Sequence, residues 1–205
     1  MAYRLVETHA HLDEIEDPEQ AVAEAKKAGI IAIIAVGSDY ESNQKVLALA
    51  RQYSGFVYPA LGLHPWYLEG ANLERDLEFM EANIDESVAI GEIGLDYHKR
   101  VRARADKDSQ KDVLRDIINN GYYISATPAV EYHEEHRRAV KATPLDRLLL
   151  ETDSPVIYQR GTESEYESRP ADILRSLRGA AELTGLDEDR IAEATTANAL
   201  RLFGI

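Results

Sequence analysis

Along the chain, apolar runs short enough for strands alternate with stretches in which apolar residues recur every three or four positions. Leu5 and Val6, between Arg4 and Thr8, begin the first strand. Asp17 can cap a helix with Pro18 at its first position, and Gly29 ends it. Ile30 to Val36 is continuously aliphatic, as a parallel strand buried on both faces requires. Val46, Leu49, Ala50 and Tyr53 then repeat at helical spacing. Val57 to Leu63 reads as a third strand, and Asn72 opens a helix with Leu73, Leu77 and Met80 on its inner face. Val88 to Leu95 is the fourth strand, and a basic stretch, Lys99 to Lys107, follows it. One helix, about Asp106 to Asn120, leads to a fifth strand, Tyr122 to Thr127, and Leu148 to Thr152 is the sixth. Pro170 and Asp187 open two C-terminal helices. Regular βα alternation of this kind predicts an α/β fold with a parallel sheet and right-handed crossovers, in one domain over residues 1–205.

The polar residues that interrupt this pattern fall at one place, the C-terminal ends of strands. His9 and His11 end the first, His64 the third, Glu92 the fourth and Asp153 the sixth. In a parallel (β/α) barrel those ends form a single mouth. His9 and His11 are two apart, so on a strand both imidazoles point to one face, half of a site for a borderline metal. Taken singly, each residue has a plainer use. The histidines could cap a turn, Glu92 could pair with a buried Arg or Lys, and Asp153 could cap the turn before Pro155. Convergent polar groups that share a cation avoid the cost of separate burial. His98 reads as a solvated loop residue. His133 and His136 read as part of a charged, solvated helix face, close enough to the fifth strand's end to reach the mouth.

Composition narrows the chemistry. The 205 residues carry a formal net charge of −14 and no cysteine. Thiolate zinc sites, disulfides and cysteine nucleophiles are excluded, so any metal ligands are His, Asp or Glu, as suits zinc, manganese or magnesium. The acidic balance argues against a general electrostatic nucleic-acid binder. No run approaches the roughly 20 apolar residues of a membrane helix, and the default location is cytoplasmic.

Thr8-His9-Ala10-His11-Leu12-Asp13, Gly62-Leu63-His64-Pro65, Gly91-Glu92-Ile93-Gly94-Leu95-Asp96-Tyr97, Gly121-Tyr122-Tyr123-Ile124-Ser125 and Glu151-Thr152-Asp153-Ser154-Pro155 stand in that order. In these pieces, and in Asn198 with Arg201-Leu202-Phe203, the chain resembles the TatD-like metal-dependent hydrolases of the amidohydrolase-type barrel superfamily. The resemblance implies a TIM-barrel-like fold and a divalent-metal site. His9, His11, Glu92 and Asp153 would be ligands, Glu92 would bridge two ions, and Asp153 would also orient or deprotonate the attacking water. His64 would contact substrate. It implies a hydrolase of phosphodiester bonds, a deoxyribonuclease, with DNA or a small phosphoester as partner. Two departures stand out. Glu7 replaces the family's usual Asp. Two βα units, each bringing a histidine to the second metal, are missing between Glu92 and Gly121. The barrel is therefore expected to have six strands, with the strand of Glu92 beside that of Tyr122 to Thr127, and to hold at most one well-coordinated ion rather than two. Exposed sheet edges would call for pairing or a homo-oligomer. The alternatives are an impaired or non-catalytic relative, or a hydrolase of another small phosphoester or amide.

Overall fold

The computed structural model describes residues 3–67, 72–92 and 122–205. Strand β1 (Leu5–Ala10), helix α1 (Pro18–Lys27), β2 (Ile30–Val36), α2 (Tyr40–Gln52), β3 (Val57–Leu61), α3 (Leu73–Ala82) and β4 (Ala89–Ile90) make the first half. The four strands form one parallel sheet in the order β1-β2-β3-β4. After β5 (Ile124–Ala126) come α4 (Glu134–Ala142) and β6 (Leu148–Leu150), and β5 and β6 pair in parallel. An antiparallel ribbon of β7 (Ile157–Tyr158) and β8 (Tyr166–Glu167) precedes α5 (Ile173–Thr184) and α6 (Glu188–Phe203). The architecture is α/β and TIM-barrel-like, shortened to six barrel strands among the described residues.

Local chemistry sets the helix ends. The Asp17 carboxylate accepts from Gln20 N with Pro18 in the first turn, and Asp39, Asn72 and Asp187 cap α2, α3 and α6 in the same way. Gly29 turns the chain into β2 at φ +89°, where a Cβ would collide with Tyr3 O. Leu5, Ile33, Leu148, Leu150, Ile173, Leu177 and Ile191 are fully buried in one cluster between strands and helices. Helix α6 holds the N-terminal ends of β1 and β6 together. Thr196 Oγ1 donates to Arg4 O at 2.6 Å, and Asn198 Nδ2 donates to Leu145 O and Leu148 O at 2.8 Å each. No helix among the described residues is long and apolar enough to cross a membrane.

Several expectations change here. Met80 is buried, but Leu73 and Leu77 are 46% and 56% exposed. Helix α3 docks instead through Asp76, Phe79 and Met80. Phe79 meets Tyr40 edge-on, and Arg75 lies over the Tyr40 ring while pairing with Asp76. The strand preceding Glu92 and the strand after Gly121 are not hydrogen-bonded neighbours among the described residues: β4 pairs with β3, and β5 with β6. Ile34, Val36 and Ala60 form a buried cluster against which Ala89, Phe203 and Ile205 pack. Strands β3 and β6 end at Leu61 and Leu150, short of the expected Leu63 and Thr152. The helix expected over 106–120 and His98 lie outside the described residues.

Candidate metal centre

The mouth is built where β1 and β6 end. The β1–β2 register shifts between Glu7 and Ala10, an irregularity that re-aims the side chains around His9. Beyond it, β1 and β6 are joined by an isolated bridge, Ala10 to Ser154, in which His11 N donates to Ser154 O (2.8 Å). Asp153 N donates to His9 O (3.0 Å). Asp153 has φ +52°, a left-handed conformation that Asp tolerates better than most residues, and this turn brings its carboxylate back over the strand end.

His9 Nε2 lies 3.3 Å from His11 Nε2, and Asp153 Oδ1 lies 3.5 Å from the first and 3.7 Å from the second. Two ligands about 2.0–2.1 Å from one tetrahedral ion stand about 3.3–3.4 Å apart, so these three atoms have the spacing of a shared cation's shell. Among the described residues they form the one group of three or more His, Asp or Glu with metal-ligand spacing. Glu92 Oε2 is 3.8 Å from His11 Nε2, on the same mouth but outside that group. His11 Nδ1 faces Val36 O at 3.1 Å. Donation of Nδ1–H to that carbonyl leaves the Nε2 lone pair for a ligand, the tautomer metal-binding imidazoles require.

Electrostatics agree with the geometry. Burial, with His11 alongside, lowers His9 to about 4, so its imidazole is neutral at physiological pH. Burial raises Asp153 to about 6, Glu92 adding to the shift and His11 opposing it. Burial likewise raises Glu151 to about 7, with Ser125 opposing through a hydrogen bond. A neutral His9 imidazole beside reluctant carboxylates forms a site that a divalent cation relieves.

Glu92 differs from the buried strand residue its neighbours suggest. It follows β4, and its side chain is 38% exposed at the mouth. Gly62 makes this placement possible, because a Cβ there would collide with Glu92 N and Gly37 O, which are themselves hydrogen-bonded at 3.2 Å. Asn43 fixes the same corner, donating to Gly62 O (2.7 Å) and accepting from Gly62 N (2.9 Å). No pattern in the sequence singles out Asn43, whose partner is 19 residues away. His64 lies across a cavity of about 290 Å³ whose wall also includes His11, Glu14, Ser38, Tyr67, Glu92 and Asp153. Its backbone N donates to Ser38 O at 2.7 Å.

The later histidines do not reach this mouth. His133 caps α4, its Nδ1 accepting from His136 N, and His136 Nε2 accepts from Thr127 N at 3.0 Å. His136 is half-buried rather than solvated, and burial lowers its pKa. Its role is to tie α4 to the end of β5.

The sequence profile described as TatD related DNase matches residues 6–119 and 109–204. The human deoxyribonuclease TATDN3 is 28% identical over 97% of this chain and 94% of its own length. An uncharacterized metal-dependent hydrolase of Bacillus subtilis, YabD, is 28% identical over 98% of this chain and 99% of its own. Both alignments run to 263 positions, longer than the 205-residue chain, so the relatives carry sequence that this chain lacks. The profile breaks into two pieces that overlap at 109–119, inside the interval where two βα units are missing. The crystal structure of the Escherichia coli K12 TatD homologue YjjV superposes with a TM-score of 0.81 at 27% identity, covering 100% of both chains. A profile running from residue 6 to residue 204 on a barrel of the same order makes this chain a member of the TatD-related DNase family and a divalent-metal-dependent hydrolase.

Proposed function

We propose that the chain hydrolyses phosphodiester bonds of DNA with one divalent ion held by His9, His11 and Asp153, and with Glu92 at the edge of its shell. The observation that carries this reading is the triangle of ligand atoms with edges of 3.3, 3.5 and 3.7 Å. A donor set of two imidazoles and carboxylates favours zinc or manganese over magnesium. When bound, the cation supplies Lewis-acid polarisation of the phosphoryl group and a lowered pKa for water. Asp153, ionised when the cation is held, would accept the proton of the attacking water. Glu92 adds negative charge beside His11, and His64, in the wall of the same cavity, contacts the substrate.

No Lys or Arg is among the described residues lining this mouth, whereas Glu14, Glu92 and Asp153 are. Against these described residues, a bound cation supplies the positive charge that meets a phosphate. The test is hydrolysis and binding of a labelled DNA oligonucleotide with zinc, manganese or magnesium, and with a chelator. Cleavage and binding both lost on chelation support the reading; cleavage that survives chelation refutes it. The second reading, an impaired relative, draws on the break in the profile. Metal-dependent DNA binding without cleavage would favour it, and turnover of a small phosphoester alone would favour another substrate.

A further inference from the structure

Glu7 is fully buried in the middle of β1, and the proposed chemistry does not use it. Its Oε1 accepts two backbone hydrogen bonds, from His9 N and from Thr152 N, each 3.0 Å. The second crosses 145 residues of chain. Its Oε2 has no hydrogen-bond partner. His9 is a ligand, and Thr152 immediately precedes the ligand Asp153. One side-chain oxygen therefore holds the backbones of both ligand-bearing segments.

The position of this contact gives it leverage. Strands β1 and β6 share no regular ladder; past them the chains meet at Asp153 N to His9 O and at His11 N to Ser154 O. The Glu7 carboxylate stands where the preceding rung of such a pairing would be. A carboxylate inserted between two strands spans more distance than a direct N–H···O=C bond. Its length and rigidity help set how far Asp153 stands from His9. Ligand distances in such sites are held to a few tenths of an ångström, so a backbone shift of that size alters the shell.

We infer that Glu7 is a positioning residue for the metal centre, its Oε1 fixing the relative placement of His9 and Asp153 through their backbones. This rests on the reading that His9, His11 and Asp153 hold the ion. The experiment measures Zn2+ affinity by chelator competition, and the Co2+ absorption spectrum, for the full chain and for Glu7→Leu, Glu7→Gln and His9→Ala. Leucine fills the buried volume and accepts no hydrogen bond, so Glu7→Leu binds Zn2+ about 10–100-fold more weakly and shifts the Co2+ bands. Glutamine presents an amide oxygen to the same two N–H groups, so Glu7→Gln binds within about threefold of the parent, less than the loss an outer partner's removal causes. A merely structural role would lower Tm in both variants and leave the affinity of the folded protein unchanged, which overturns the inference. Equal losses in both variants overturn it too, because charge rather than the two bonds would then be responsible. If Glu7→Leu does not fold, amide exchange in the parent chain decides: His9 and Thr152 N–H groups are protected if the bonds form, and rapid exchange at Thr152 refutes them. Zn2+ binding unaffected by His9→Ala would instead refute the underlying site.

Discussion

At the scale of single residues, the account turns on a few atoms, and Asp153 carries two of its roles, ligand and proton acceptor. Asp153→Asn keeps the shape of the side chain but removes the proton acceptor. Its kcat on DNA falls by about 10²–10⁴-fold, the usual contribution of a general base. A steady-state assay that found kcat unchanged would move the base elsewhere. Glu92→Gln removes a charge beside His11 and leaves the fold intact, so metal content and activity fall together while Tm of the metal-free protein holds. Metal content equal to that of the parent would make Glu92 structural. Gly62→Ala places a methyl against Glu92 N and Gly37 O, at a cost of about 1–3 kcal/mol for overpacking. Calorimetry should show that loss, and a Tm unchanged by the substitution would contradict the close approach.

The shifted groups also fix a pH dependence. Glu151, raised from 4.5 to about 7, favours the metal-free fold at low pH and loses that contribution as pH rises through about 7. Asp153, raised from 3.8 to about 6, acts in the same direction over a lower window. His9, lowered from 6.5 to about 4, acts oppositely: its contribution is lost as pH falls through that interval. Loading a cation requires ionised Asp153 and neutral His9. Metal affinity therefore rises between about pH 5 and pH 7, and at the acid end of that window Asp153 releases up to about one proton as the ion binds. Calorimetry in buffers of different ionisation enthalpy measures that proton; affinity flat across the window would contradict the burial of Asp153.

At the scale of elements, periodicity and caps located most of what the structure contains. The span Ile30 to Val36 and the caps Asp17, Asn72 and Asp187 are found where the sequence places them. These features are local: an aliphatic run and a capping side chain act within a few residues. Features that depend on distant partners were not legible. The docking edge of α3 is set by Tyr40, and His136 by Thr127. The β7–β8 ribbon has two residues in each strand, too short for a periodic signal. The positions of His9, His11, His64, Glu92 and Asp153 on one mouth were readable because strand ends in a parallel sheet share a side. The Glu7 and Asn43 contacts were not, since each joins segments far apart in sequence. One consequence is that Leu77→Ser, on the exposed side of α3, changes stability by no more than about 0.5 kcal/mol. A larger drop on denaturation would mean that Leu77 is covered in solution.

At the scale of the whole molecule, the barrel is shorter than those of the relatives it aligns with. The missing βα units fall between Glu92 and Gly121, the interval in which the profile divides. What the ends of β1 and β6 supply is two imidazoles and a carboxylate around a single point, with Glu92 beside them. The central claim is that this point takes one cation. Anomalous diffraction from a crystal of the Zn2+-loaded protein, collected above and below the zinc edge, tests it most directly. The account predicts one zinc peak per chain, about 2.0–2.2 Å from His9 Nε2, His11 Nε2 and an Asp153 oxygen. Two fully occupied peaks at this mouth, or a peak away from these three residues, would contradict it.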